Sequence, residues 1–124
     1  LNRVFQAIRD SLDLDQIFAT ATMETATLIQ VERVQIALHL PDLDCWRITA
    51  SYQPPGFPDT VGVEIPVTAN PISQQLKLGE TVLVQDTNQL SDVANQKIAQ
   101  VMPGAWLLAP IKIQEVVWGC LVAN

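Results

Sequence analysis

Two cysteines, one histidine and three tryptophans are the residues of this chain best equipped to do chemistry. Cys45 and Cys120 lack the closely spaced Cys or His partners that build a zinc site. Two cysteines are also too few for a disulfide framework, and they read as free thiols of a cytosolic protein. A thiol turns nucleophilic only where its surroundings favour the thiolate. Cys120 lies inside an apolar run, where packing explains it better. Histidine as a residue type titrates near neutral pH, but no nucleophile accompanies His39 in a catalytic arrangement. Trp106 and Trp118 either stack a flat ligand or seal the core. His39, Trp106 and Trp118 are therefore the candidates for a ligand-binding wall. Asp42, Asp44, Asp59, Asp86 and Asp92 are scattered over predicted loops. Their spacing suits neither a general acid–base pair nor a calcium loop. No catalytic and no metal-ligating residue is predicted, so the chain reads as one that binds or relays, not as an enzyme.

The composition suits a globular fold. The chain has 124 residues, 48% hydrophobic and 16% charged, with a net charge of −6. That is one domain with enough apolar content to bury a core. Seven Lys and Arg are spread thinly, which argues against nucleic acid and against anionic membranes. No apolar run is long enough to span a bilayer, and no signal peptide is visible. The chain starts with Leu1 and is read as part of a longer cytoplasmic protein.

The elements that must position these residues are legible from periodicity. Leu1, Val4, Phe5, Ile8 and Leu12 form one helical stripe, which packs either on its own domain or on a partner helix. Asp13 and Gln16 suggest a capping box opening a helix from Leu14 to Gln30. Its predicted buried face is Leu14, Ile17, Phe18, Ala21, Thr25 and Leu28. The period changes to two over residues 33–40 and again over 46–52, predicting a hairpin around Pro41–Asp44. Residues 53–60, rich in Pro and Gly, are a loop, and Val61, Val63, Ile65 and Val67 a third strand. Asn70-Pro71 opens a short helix ended by Gly79. A short strand follows at 81–84, then a helix from Asp92 to Met102. Residues 105–113 and 116–123 are two apolar strands joined at Gln114-Glu115. The last is apolar on both faces, which places it mid-sheet with helices covering both sides.

This order resembles a GAF domain, the sensory module related to PAS domains. The residues that carry the resemblance are Ser11-Leu12-Asp13-Leu14-Asp15-Gln16-Ile17 and Val31-Glu32-Arg33-Val34. The run from Ile72 to Leu83, with Leu78-Gly79-Glu80-Thr81, is similar to the family's central segment. Most specific is the closing pair, Trp106-Leu107-Leu108-Ala109-Pro110-Ile111 and Val117-Trp118-Gly119-Cys120-Leu121-Val122-Ala123. It is similar to GAF domains of cyanobacterial sensor histidine kinases, in which a V-P-I strand precedes a W-G-L-L strand.

The resemblance implies an α+β fold with about six antiparallel strands and helices on both faces. It implies residues 1–11 as the end of a signalling helix, residues 12–124 as the domain, and a C-terminal helix beyond Asn124. It further implies a homodimer through Leu1, Val4, Phe5 and Ile8, an adjoining kinase or cyclase domain, and a regulatory role in two-component signalling with an unknown small molecule. The alternative is a degenerate, ligand-free GAF domain serving dimerisation or docking. No cofactor is predicted. Photosensory relatives hold a bilin through a cysteine followed by histidine, and residues 92–104 have neither. The N-K-F-D-E signature of cyclic-nucleotide GAF domains is absent, and no arginine cluster grips a phosphate. The clustered cysteines of GAF-like methionine sulfoxide reductases are absent too.

Overall fold

The computed structural model describes Arg3, Val4, Gln6, Ala7 and residues 13–124. Arg3, Val4, Gln6 and Ala7 are helical and exposed; Leu1, Phe5, Ile8 and Leu12 of the predicted stripe lie outside the described residues. Helix α1 spans Leu14–Ile29. Asp13 caps it, its carboxylate accepting from Gln16 N–H at 3.1 Å. Only half of the predicted capping box forms, because the Gln16 side chain turns forward and donates to Thr20 Oγ1. Gln30 closes the helix in the left-handed region.

The face α1 buries differs from the predicted one. Thr22 and Ala26 are buried outright and Leu14, Phe18 and Thr25 partly, whereas Ile17 and Leu28 are exposed, Leu28 at 83%. The reason is size and polarity together. Small Thr22 and Ala26 let the helix approach the sheet closely, and the Thr22 hydroxyl is satisfied by Ala19 O at 2.9 Å within its own helix. Hydrophobicity alone favoured the larger Leu28.

The strands are β1 (Val34–Leu40), β2 (Cys45–Tyr52), β3 (Glu64–Pro66), β4 (Val82–Val84), β5 (Trp106–Ile113) and β6 (Val116–Ala123). They form one sheet in the order β3-β2-β1-β6-β5-β4, with every pair antiparallel. This is the six-stranded α+β architecture expected, with β6 central. Gln114 and Glu115 both take positive φ in the β5–β6 turn, which matches the twist of a tight hairpin. Gly119 allows β6 to lie against β1, since a Cβ there would meet Ala37 O at 2.7 Å. The third strand is shorter than predicted. Gly62 takes φ +92° and turns the chain, leaving Val61 and Val63 exposed ahead of it.

Helix α1 packs over β1 and β2 on one face, where Ala26, Val34 and Ala123 form a small core. The other face carries the main core under helices α2 (Pro71–Lys77) and α3 (Val93–Val101). The chain between β3 and β4 crosses the whole sheet, from one edge strand to the other. That crossing lays α2 against β4, β5 and β6.

Candidate functional site

Between the sheet and the two short helices lies a cavity of about 140 Å³. Its floor is the run of β1, β2, β5 and β6 residues that alternation directs to this face. Ala37 and Cys120 are cross-strand partners, and their small side chains leave the floor low between Trp46 and Trp106. Ile72 and Leu76 of α2 and Ile98 and Val101 of α3 form the roof, and Val63 and Ile65 close one side. The helices are short because Pro71 and Gly79 bracket α2, and Pro103-Gly104 stops α3. Two short helices cannot fill the area that a six-stranded sheet presents.

Carboxamides hold this roof in place. Asn70 is buried and caps α2, accepting from Ser73 N–H at 3.1 Å. Its Nδ2 donates to Pro66 O at 3.0 Å. Its Oδ1 also accepts from Asn95 Nδ2 at 2.8 Å, and the same nitrogen donates to Asp92 Oδ2 at 2.8 Å. One buried bridge thus ties the end of β3 and the N-termini of α2 and α3 together. A second polar line runs from Gln35 Nε2 to Thr60 Oγ1 at 2.7 Å, from Thr60 to Ser51, and from Ser51 to Gln53. It pins the 53–63 loop to the sheet. Sequence reasoning identified Asn70 as a cap and missed Asn95; an Asx cap at each helix start, Asn70 and Asp92, was the available signal.

Arg33 braces the roof from the side. It is only 3% exposed. It donates to Val101 O at 3.2 Å, where the C-terminus of α3 concentrates negative charge. Its guanidinium lies 4.8 Å over the Phe57 ring. Burial lowers its pKa, with Glu32 opposing. Its backbone exchanges hydrogen bonds with Asn124, so α3, the loop and the end of β6 meet at this one residue.

The candidates picked from sequence are dispersed. Trp106 reaches the cavity wall and donates its indole N–H to Met102 O at 2.8 Å, sealing the end of α3. His39 lies beside the wall, its ring 5.0 Å from that of Trp46. Desolvation lowers its pKa, helped by Lys77 and opposed by Asp44, so it is neutral at pH 7. Trp118 lies on the opposite face, stacked on Phe18 of α1 at 6.0 Å. Cys45 and Cys120 are both buried and free. Burial pushes the Cys120 thiol up to about 12, against a backbone hydrogen bond at Ala37. Among the described residues no group of three or more His, Cys, Asp or Glu is placed to hold a metal ion, and no helix is long and apolar enough to cross a membrane.

The family model described as "GAF domain" matches residues 13–124. The phycocyanobilin-bound GAF domain of a cyanobacterial phytochrome superposes with a TM-score of 0.74 at 22% identity, over 98% of this chain and 75% of that one. The blue-light-absorbing PixJ GAF domain of Thermosynechococcus elongatus gives 0.75 at 19% identity, over 90% and 68%. The GAF domain of an Acinetobacter phosphoenolpyruvate-protein phosphotransferase gives 0.68 at 19% identity, over 98% and 72%. At these identities the likeness is one of fold. No curated protein sequence matches the chain.

Proposed function

The chain belongs to the GAF domain family, and on that premise we propose that it is the sensory domain of a larger cytoplasmic signalling protein, coupling occupancy of the cavity to an adjoining output domain. The observation that carries this reading is the cavity beneath a roof tied together by the Asn70–Asn95 bridge. A ligand preferring one position of the roof would shift the population of that position. Arg33, joined to α3, to Phe57 and to Asn124, offers the route from roof to chain end. A kinase or cyclase is the output expected, and the stripe Leu1, Val4, Phe5 and Ile8 the dimer surface. In support of the latter, Val4 is helical and 62% exposed.

Neither catalysis nor a covalently held bilin belongs to this reading. A thiol pushed up to about 12 stays protonated at neutral pH and is a poor nucleophile. A linear tetrapyrrole is far larger than about 140 Å³ and carries two carboxylates, for which the cavity wall offers no cation. The ligand-free alternative, a docking module, is favoured by a different observation. On the α1 face, Leu83 and Leu107 pair across β4 and β5 and remain exposed. Native mass spectrometry of the purified protein separates the two readings. A co-purified small molecule supports sensing. Its absence, with no thermal shift across a ligand panel, supports the docking module. Val4→Asp with Phe5→Asp tests the dimer surface, and an unchanged oligomeric state and output would remove it.

A further inference from the structure

We propose that the cavity takes an uncharged, apolar molecule of about the size of benzene to indole. This deepens the sensory reading and rests on it. Size comes first. A cavity of about 140 Å³ is close to the ~150 Å³ of an apolar cavity, known in an unrelated protein, that stays dry and binds benzene. Molecules of roughly six to ten non-hydrogen atoms fill such a space at normal packing density.

Charge comes next. None of the residues lining the cavity is Asp, Glu, Lys, Arg or His. An ion moved there from water would lose its hydration and gain no counter-charge. The helix N-termini do not supply one to an anion. Pro71 removes a backbone N–H at the start of α2, and Asn70 takes up another. The start of α3 already holds the carboxylate of Asp92, which accepts from Asn95 N–H and Nδ2. That carboxylate is committed to Asn95 and repels a second anion nearby.

The polar groups around the cavity do not change this. Asn95 spends both hydrogens of its amide on Asn70 and Asp92, and Gln35 donates to Thr60. The Trp46 indole nitrogen is itself buried, so what Trp46 offers the cavity is apolar surface. The wall therefore favours an apolar molecule.

Four probes sharing one ring decide the matter: toluene, phenol, benzoate and benzylamine. They are titrated against the 124-residue chain by thermal shift and by tryptophan fluorescence, which Trp46 and Trp106 report from the wall. Toluene should raise Tm by several degrees at millimolar concentration, and phenol by less, since its hydroxyl must be desolvated. Benzoate and benzylamine should bind at least about 100-fold more weakly, because each must be desolvated without a partner. Ala37→Leu should abolish binding by filling the floor, and Ile98→Phe does the same from the half-buried roof should the first variant fail to fold. Benzoate or benzylamine binding as tightly as toluene overturns the proposal, as does failure of all four to bind. If a larger or charged molecule co-purifies instead, this ligand class falls and the sensory reading stands. If the neutral probes bind but leave the output of the protein carrying this domain unchanged, the ligand class stands and the sensory reading falls.

Discussion

The two faces of the sheet are made from alternate residues of the same strands, yet beneath the helices they are filled differently. On the α1 face Thr22 is buried, and Ala26 packs with Val34 and Ala123 in a small core. On the α2/α3 face large side chains dominate, including Trp46, Trp106, Leu108 and Ile72, and a cavity remains. Close packing therefore does not follow from bulk. Small residues allow one long helix to approach closely, whereas large residues under two short helices leave a gap at their centre. The first face suits support and the second suits binding.

Five substitutions and one titration would test this contrast. The largest effect is expected from Asn70→Ala, which removes the α2 cap, the Pro66 bond and the acceptor of Asn95 together. A loss of about 3 kcal/mol is expected, read by urea denaturation. An effect below about 1 kcal/mol would mean that the roof does not depend on the bridge. Next comes a matched pair. Ala26→Leu overpacks the tight face and should cost roughly 1–3 kcal/mol, while Ala37→Leu fills existing space and should cost less than about 1 kcal/mol. Equal losses would erase the distinction between the faces. Arg33→Met keeps much of the apolar stem but loses the Val101 bond and the Phe57 contact. It should cost about 1–2 kcal/mol and raise hydrogen exchange at the end of α3.

The titration concerns His39. Its folded pKa lies below the unfolded value near 6.5, chiefly through desolvation. Between the two values the unfolded chain binds more protons, so stability should be full above pH 6.5 and fall as pH drops toward the folded pKa. Urea midpoints at pH 7.5 and 5.5 should differ more in the native chain than in His39→Gln, and an equal difference would remove His39 as the source. The smallest effect belongs to Leu28→Asp. Exposed at 83%, Leu28 should tolerate the change within about 0.5 kcal/mol, whereas a core position would not.

Much of the frame was readable from spacing alone. The alternation at Val34, Ile36 and Leu38, the Asn70-Pro71 start and the doubly apolar β6 each specify a local geometry that the structure keeps. The helical faces were less readable. In α1 the residues that pack are Thr22 and Ala26, and a hydroxyl satisfied inside its own helix looks polar in sequence but behaves as apolar in the fold. The site was least readable. Of His39, Trp106 and Trp118, one lines the cavity, one lies beside it, and one stacks on Phe18 behind the sheet. The bulge between Ile111 and Lys112 breaks the alternation that would have put Trp118 and Cys120 on one face.

The sequence by itself determined the family, the strand order's central member and the absence of charge from the apolar runs, because these depend on residue type and period. Tertiary structure alone decided that a cavity exists, that Asn70 and Asn95 meet across 25 positions, and that Arg33 joins three distant segments. Volume left unfilled and contacts between remote residues are properties of how elements sit together. No local pattern encodes them, since each depends on the lengths of two helices and the width of the sheet beneath.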